Sequence, residues 1–314
     1  MKTLLLLLLT FTCFIYASNA ENFEDNPNIP TIIATKLRPM DSTLLPEIKT
    51  GSNQFQKFPM ARVEGHRGAG FMEPENTLKS FQRAIDLGLD GIETDVWLSQ
   101  DKELIVYHGL IGGYVEFKDG KRKLTEIDSH DLKNYTLLNG EKILFFEEVL
   151  DLCKDKISIN IEIKDTREEI VENILDMLLE KDMLGQVSFS SFHHYLRKKL
   201  TSEVQKRGIK EDLSFGFLNH IYDLRFPEYG VDTLPGDSLN LDIRYLTGSQ
   251  EKCLDTMAKA AEYGMNAKFW FPWFYTIEEL SYDKLIEVGV DTILTNKPQA
   301  VLDYLARKQN EQNF

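Results

Sequence analysis

Cysteine is scarce in this chain, with three residues among 314, and one of them, Cys13, lies within the first twenty residues. The other two, Cys153 and Cys253, are a hundred residues apart, and each lies in a helix-like run. At most one disulfide can therefore join them in an oxidising compartment, and two buried thiols are equally compatible with the sequence.

Long apolar segments are missing after the first twenty residues, so no later segment is predicted to cross a bilayer, which takes about 20 apolar residues. The first twenty residues are typical of a secretory signal. Lys2 precedes an apolar run over 4–16, and the small residues Ser18 and Ala20 precede a cut before Glu21. An uncleaved membrane anchor is the competing interpretation, but the run is short for a span. We therefore expect a secreted or periplasmic protein without stable membrane insertion.

Basic residues are in the minority, at 36 Lys and Arg against 50 Asp and Glu, for a formal net charge of −14. Removal of residues 1–20 takes away Lys2 alone, so the mature chain has 35 against 50 and a net charge of −15. This sign opposes binding to nucleic acid or to anionic membrane, since both are held by basic surfaces. No nucleic-acid partner is expected.

A Gly-x-Ser-x-Gly turn is also absent. Serines at 190 and 191 stand close to His193 and His194, but residues adjacent in sequence rarely form a catalytic triad. A serine hydrolase is therefore disfavoured.

Short apolar segments alternate with helical stretches over most of the chain. Residues 21–60 hold five prolines and no sustained period, and they are predicted to be an extended arm. Residues 61–305 are predicted to form one domain and 306–314 a polar tail. The strand candidates are Arg62–His66, Gly91–Trp97, Leu104–His108, Ile157–Lys164, Gln186–Ser191, Leu213–Leu218, Leu239–Tyr245, Ala267–Phe271 and Thr292–Thr295. The alternation, with no linker in the middle, predicts a single (β/α)8 TIM barrel of the α/β class.

One of these nine segments is surplus to an eight-stranded barrel. Only residues Leu98–Glu103 separate the second segment from the third, too few for a parallel crossover, so these two are predicted to form an antiparallel hairpin. A turn centred near Gln100 and Asp101 would place His108 opposite Glu93. The hairpin would thus bring a histidine to a pair of carboxylates.

Three carboxylates are predicted to face the barrel interior. Glu93 and Asp95 are two apart in a strand and therefore share a face, and Glu162 alternates with apolar residues in a later strand. A solvated strand edge is the ordinary interpretation of one such pair, but three inward carboxylates need a neutralising partner. Hard divalent cations such as Mg²⁺ or Ca²⁺ prefer gathered oxygen ligands of this kind.

The histidines and cations at strand ends complete a candidate catalytic site. His66 and His108 can serve as a base and an acid for proton transfer. Arg67 and Lys164 can bind the free oxygens of a phosphate, or alternatively pair with the carboxylates. The end of a strand near the mouth carries Trp270, Pro272 and Trp273. These can pack against a glycerol or head group, although core packing is an equal alternative.

The ordered set of motifs resembles the glycerophosphodiester phosphodiesterase family from about residue 62 to residue 298. The motifs are His66-Arg67-Gly68, Pro74-Glu75-Asn76-Thr77, Glu93-x-Asp95, Val106-Tyr107-His108, Ile161-Glu162-Ile163-Lys164 and Gly289-Val290-Asp291-Thr292-Ile293-Leu294-Thr295. The resemblance implies a barrel with His66 and His108 as the acid/base pair. It also implies Glu93, Asp95 and Glu162 as metal ligands, and Arg67 and Lys164 as phosphate contacts.

The resemblance assigns further roles and shows two departures. Glu75 and Asn76 would shape the loop beside the metal, and Asn76 or Thr77 can cap the helix that follows. Gly109 and Asn296 stand where the family usually has aspartate.

The expected reaction is metal-dependent hydrolysis of glycerophosphodiesters, such as glycerophosphocholine or glycerophosphoethanolamine, to glycerol 3-phosphate and an alcohol, in glycerophospholipid degradation. Ca²⁺ or Mg²⁺ is the expected cofactor, and either water or the substrate's own glycerol hydroxyl can be the attacking oxygen. Two alternatives remain open. One is a phospholipase D or lysophospholipase D on the same fold, and the other is a catalytically silent protein that binds glycerophosphodiesters.

Overall fold

A closed ring of eight parallel strands forms the centre of the molecule. The computed structural model describes residues 58–110, 112–220 and 233–312, so the predicted signal and residues 21–57 of the predicted arm lie outside the described residues. The ring strands are β1 (Arg62–Gly65), β2 (Gly91–Leu98), β7 (Ser158–Ile163), β8 (Val187–Ser191), β9 (Phe215–Asn219), β10 (Ser238–Asp242), β11 (Asn266–Trp270) and β12 (Thr292–Thr295). Each pairs with the next in parallel, and β1 closes the ring by pairing with both β2 and β12. The predicted (β/α)8 barrel is confirmed.

Helices lie between the strands and complete the barrel. They are α1 (Leu78–Leu87), α2 (Ser129–Leu132), α3 (Phe146–Cys153), α4 (Glu169–Lys181), α5 (Leu196–Arg207), α6 (Ile243–Gly248), α7 (Gln250–Ala261), α8 (Tyr282–Glu287) and α9 (Pro298–Gln312). No helix in the described ranges combines the length and apolar character that a membrane span needs.

Side-chain alternation separates two environments along each strand. In β7, Ile159, Ile161 and Ile163 belong to the large apolar core between sheet and helices. The opposite face points into the barrel, where polar groups pair with one another. Lys268 Nζ of β11 lies 2.7 Å from Glu64 Oε2 of β1, across the intervening strand β12. The polar interior is therefore continuous with the predicted site at the carboxyl ends of the strands.

A small cap interrupts the alternation after β2. β3 (Leu104–Val106) pairs antiparallel with β2, and β6 (Leu144–Phe145) pairs with β3. Between them, β4 (Tyr114–Phe117) and β5 (Gly120–Lys123) form a separate antiparallel sheet. The cap has its own buried apolar cluster of Ile105, Val115, Phe117, Leu124, Ile127, Leu132, Leu137 and Ile143. The predicted hairpin is thus the base of a larger insertion.

The register of the hairpin corrects one expectation. Val96 pairs with Val106, where β3 ends, so His108 lies just after the strand. If this register continued for two more residues, His108 would lie opposite Thr94 rather than Glu93. The reason is the loop, in which the N–H of Ser99 donates to the carbonyl of Glu103 at 2.9 Å. This loop has an odd number of residues and is centred one half-residue later than predicted.

The domain boundaries also differ slightly from the predicted ones. Phe58, assigned to the arm, is buried in the main core, so the folded unit begins before residue 61. At the other end, residues 306–312 of the predicted tail continue helix α9.

Both described cysteines are free, buried thiols. Burial raises the pKa of Cys153 to about 12 and that of Cys253 to about 12. Of the two alternatives left open by the sequence, the thiols are the one that the structure shows.

Candidate active site

The three predicted carboxylates meet at the carboxyl ends of two neighbouring strands. Asp95 of β2 is in register with Glu162 of β7, and Glu93 lies two residues earlier on the same face of β2. One oxygen from each lies within 4.8 Å of the other two, and all three side chains are buried. Strand alternation therefore builds a compact triangle of oxygens in the barrel mouth.

Two cations partly neutralise this triangle. Lys164 Nζ lies 2.6 Å from Glu162 Oε1 and 3.2 Å from Asp95 Oδ1. Arg67 Nε lies 3.7 Å from Asp95 Oδ2, and the Arg67 backbone N–H donates to Glu93 Oε2 at 2.9 Å. Three carboxylates against two cations leave an excess of negative charge.

The pKa values of the carboxylates reflect this imbalance. Burial, with repulsion from Asp95 and Glu162, raises the pKa of Glu93 well above its usual range. Burial would also raise the pKa of Asp95, but Lys164, His108 and Arg67 together hold it below its usual value. A nearby cation would stabilise the ionised form of such a carboxyl group, because it would offset the repulsion from the neighbouring carboxylates.

The donor set suits a hard divalent cation. Glu93 Oε1 is buried and accepts no hydrogen bond from any described residue. Asp95 Oδ2 is held in place by the Asn76 side-chain amide, which donates at 2.7 Å, and Thr94 Oγ1 donates to the other end of that amide at 3.0 Å. Oriented carboxylate oxygens with unused lone pairs are the ligands that Mg²⁺ and Ca²⁺ prefer.

His66 is fixed in one orientation by Asn296. The Asn296 amide nitrogen donates to the carbonyls of Phe271 and Pro272, at 3.1 and 3.2 Å, so Asn296 Oδ1 faces His66 Nδ1 at 2.7 Å. Nδ1 must therefore carry the hydrogen, and Nε2 turns toward the carboxylates, 4.0 Å from Glu93 Oε2. Burial and the neighbouring Arg67 lower the pKa of His66 well below its usual value, which keeps the ring neutral.

His108 approaches the same carboxylates from the cap. The N–H of Tyr107 donates to the carbonyl of Asp95 at 3.1 Å, which ties this segment to β2 beyond the end of the hairpin. Burial, with Lys164 and Arg67, lowers the pKa of His108 to about 3, against the opposing effect of Asp95. Two neutral imidazoles thus flank one acidic cluster.

Glu75 and Trp273 lie beside Arg67 at the mouth of the barrel. Arg67 Nη1 pairs with Glu75 Oε2 at 2.7 Å, and its guanidinium lies 4.7 Å from the ring centre of Trp273. Trp273 also contacts His66 edge to face, with ring centres 5.6 Å apart. Trp273 and Asn296 follow strands β11 and β12, at positions that the sequence analysis noted, but their contacts with His66 were not predicted.

Trp270, the predicted substrate contact, lies at the mouth but away from His66. Its ring centre is 6.0 Å from that of Phe192, whose ring is in turn 5.9 Å from Lys164 Nζ. Trp270 Nε1 is buried and has no hydrogen-bond partner among the described residues. Trp270 and Trp273 thus line two sides of the mouth.

The disfavoured serine triad does not form. Ser191 Oγ donates to the carbonyl of Ile163 at 2.7 Å, and the ring of His194 pairs with the carbonyl of Leu218 at 2.8 Å.

A TIM barrel whose mouth joins a carboxylate cluster, two neutral histidines and two cations defines a class of barrel hydrolase suited to phosphate esters. Residues 66–300 match the sequence model of the glycerophosphoryl diester phosphodiesterase family. The chain belongs to this family.

Relatives and solved structures agree with this assignment. A glycerophosphodiester phosphodiesterase of Caldanaerobacter subterraneus is 31% identical over 255 residues, which cover 78% of this chain and 98% of that protein. A glycerophosphodiester phosphodiesterase of Parabacteroides distasonis superposes with a TM-score of 0.61 at 21% identity, over 81% of this chain and 100% of that one. An Oleispira antarctica phosphodiesterase, solved in complex with sn-glycerol-3-phosphate, gives a TM-score of 0.61 at 19% identity, over 81% and 99%. At these identities the two structures support the fold.

Proposed function

We propose that this protein hydrolyses glycerophosphodiesters to glycerol 3-phosphate and an alcohol, with the aid of a divalent cation held by Glu93, Asp95 and Glu162. The observation that supports the proposal most directly is the buried triangle of carboxylate oxygens, within 4.8 Å of one another, between two histidines. Family membership supports the same reaction.

The cation expected at the triangle is Ca²⁺ or Mg²⁺, because all three donors are hard carboxylate oxygens. When bound, it would polarise a phosphoryl oxygen and offset the negative charge that develops there. Arg67 and Lys164 lie beside the same carboxylates and would contact the remaining phosphate oxygens. Because Arg67 is buried, Lys164 is half-buried and both are paired with carboxylates, they are held in position before substrate arrives.

The two histidines would move the protons. His66 presents Nε2 without a hydrogen, and can therefore accept the proton of the attacking hydroxyl or water. His108 lies across the carboxylates on the cap, where a protonated ring would deliver a proton to the departing alkoxide. Both rings are neutral in the free protein, so His108 must take up a proton from solvent when the singly charged phosphodiester anion enters the site.

The first test measures glycerol 3-phosphate release from glycerophosphocholine and glycerophosphoethanolamine, with EDTA and then with added Ca²⁺ or Mg²⁺. We expect EDTA to abolish activity and one of the two cations to restore it. Failure of every substrate with every metal would contradict the proposal and favour a silent glycerophosphodiester-binding protein.

Substitution separates the two parts of the site. His66→Ala and His108→Ala should each reduce turnover by about 100-fold or more, with cation affinity measured by calorimetry nearly unchanged. Glu93→Gln and Asp95→Asn should weaken cation binding itself. His130→Ala, on the cap helix α2 and outside the site, is the matched control. If His66→Ala or His108→Ala were as active as His130→Ala, the acid/base assignment would be refuted.

A lysophospholipase D activity is a second candidate, because the rim of the mouth exposes apolar side chains. Phe274 and Leu280, in the segment after β11, are 70% and 74% exposed. After β1, Phe71 is exposed as well, and its ring lies 4.8 Å from that of Trp273 beside His66. An acyl chain could lie along this rim. Release of choline from lysophosphatidylcholine would support this candidate, and its absence beside glycerophosphodiester turnover would exclude it.

We also propose export of the protein, because its first twenty residues are typical of a secretory signal. Amino-terminal sequencing of the extracellular or periplasmic protein should begin at Glu21, and a mature chain that retains Met1 would contradict the proposal.

A further inference from the structure

A cavity of about 540 Å³ lies beside the carboxylate cluster, between the cap and the barrel. Lys164 lines it and also pairs with Asp95 and Glu162, so the cavity and the catalytic site share a wall. The cap contributes Gly112, Lys123, Thr125 and Glu126, and the loop after β7 contributes Asp165, Thr166 and Arg167. Its size is that of a pocket for a small organic ligand, and it adjoins the place where phosphate would bind.

The charged groups that line this cavity are already paired. The Arg167 guanidinium binds Asp165 at 2.6 Å and donates to the carbonyl of Leu98 at 2.7 Å. Lys123 lies 3.4 Å from Glu126, at the exposed edge. The described lining thus carries three cations, Lys123, Lys164 and Arg167, against two carboxylates, and this excess of positive charge disfavours an ammonium group.

The cavity also lacks what a quaternary ammonium requires from aromatic residues. Trp97 supplies the single indole or phenyl ring in the described lining, and His193 adds only an imidazole, whereas choline sites surround the cation with several electron-rich rings. The edge of the Trp97 ring is held by the cap, where a Cβ on Gly113 would lie only 2.9 Å from it. The ring position is therefore fixed before any ligand enters.

Besides these charged groups, the lining offers neutral polar groups. Trp97 Nε1 is buried and has no hydrogen-bond partner among the described residues. The hydroxyl-bearing residues Thr125 and Thr166 line the same cavity. Uncharged donors and acceptors of this kind match the hydroxyl groups of a polyol.

We propose that this cavity receives the leaving alcohol of the substrate, and that the preferred alcohol is a neutral polyol, such as glycerol or inositol, rather than choline or ethanolamine. The inference rests on the proposed phosphodiesterase function and adds the head-group class to it. Lys164 stands between the two halves of such a substrate, with the phosphate on one side and the polyol on the other.

The test compares four substrates on the full-length mature protein with the activating cation: glycerophosphoglycerol, glycerophosphoinositol, glycerophosphocholine and glycerophosphoethanolamine. We expect kcat/KM to be at least about 10-fold higher for the two polyol substrates, about the discrimination that one unmatched buried donor produces. Equal or preferred turnover of the choline substrate would overturn this inference and leave the phosphodiesterase function intact. Absence of turnover on all four would overturn the function itself.

Two variants test whether residues of this cavity determine the preference for polyol substrates. Trp97→Phe removes the indole N–H, and Thr125→Val removes a hydroxyl with little change of volume. Each should raise KM several-fold for the polyol substrates with kcat nearly constant, and should lower the ratio of polyol to choline turnover. Thr136→Val, in the cap but outside the cavity, is the matched control for the second variant. A Thr125→Val protein that loses rate equally on all four substrates would show a structural role and contradict the inference, even if Trp97→Phe fails to fold.

Discussion

At the scale of single residues, Asn296 shows how a neutral side chain can set the chemistry of a histidine. Its amide nitrogen is fixed by two backbone carbonyls, so its oxygen must face His66 Nδ1. An aspartate at this position would accept the same hydrogen bond, but its charge would also favour the protonated ring. Asparagine therefore orients His66 while it leaves the ring neutral.

This role predicts opposite results for two substitutions of Asn296. Asn296→Leu should lower kcat by about 10-fold or more with a small change in KM, since His66 loses its orientation. Asn296→Asp should keep much of the activity, but the acidic limb of the pH–rate profile should move to higher pH, because a raised pKa of His66 leaves less neutral base at low pH. An unshifted profile in the aspartate variant would exclude direct coupling to His66.

Most members of the site could be predicted from the sequence because they lie within two residues of a strand end. Alternation placed Glu93, Asp95 and Glu162 on the inner face, and the structure brings their oxygens together. Asn296 and Trp273 also follow strands, but their contacts with His66 could not be predicted in the same way. Their contacts with His66 span more than 200 residues and depend on the closure of the ring, which no local pattern contains.

At the scale of elements, the start of helix α1 holds the loop that carries Arg67 and Glu75. Thr77 Oγ1 accepts from the N–H of Ser80 at 3.1 Å and donates to the carbonyl of Pro74 at 2.7 Å. Of the two predicted caps, Thr77 is therefore the one used, whereas Asn76 turns to Asp95.

Thr77→Ala should lower the free energy of unfolding by about 1 kcal/mol, the usual cost of a lost N-terminal cap. Thr77→Ser keeps the hydroxyl and should recover most of the difference. Urea denaturation of the three proteins measures both effects. An alanine variant as stable as the parent would show that packing alone fixes the start of α1.

The cap is the element that sequence patterns predicted least well. The barrel strands show apolar alternation over four to eight residues, and all eight were found within a few residues of their ends. β4 and β5 are four residues each, and β5, Gly-Lys-Arg-Lys, has no apolar residue. Its stability comes from pairing with β4 and from the small core beneath, so its own sequence does not mark it as a strand.

At the scale of the whole molecule, a buried carboxyl group makes stability depend on pH. Glu278 is fully buried and accepts hydrogen bonds from the backbone N–H of Asn296 at 2.9 Å and from the hydroxyl of Thr295. Burial nevertheless raises the pKa of Glu278 to about 7. In the unfolded chain the same group titrates near its ordinary value of 4.5.

The sign of the effect follows from these two values. Between about pH 4.5 and 7 the folded protein keeps the proton that the unfolded chain has lost, so this group lowers stability as pH rises through that window. Glu278→Gln cannot titrate. Relative to the parent, it should therefore gain about 2 kcal/mol in unfolding free energy between pH 5 and pH 8, measured by urea denaturation at both values. A constant difference at the two pH values would contradict a raised pKa in the folded state.

The two buried thiols have a consequence for where this chain can mature. A protein whose described cysteines are both free needs no oxidant, isomerase or disulfide exchange to complete its fold, and a reducing agent has no covalent link there to break. The same barrel should therefore form in a reducing cytosol and in an oxidising compartment. Recombinant cytosolic protein without residues 1–20 is accordingly suitable for the activity and stability measurements above.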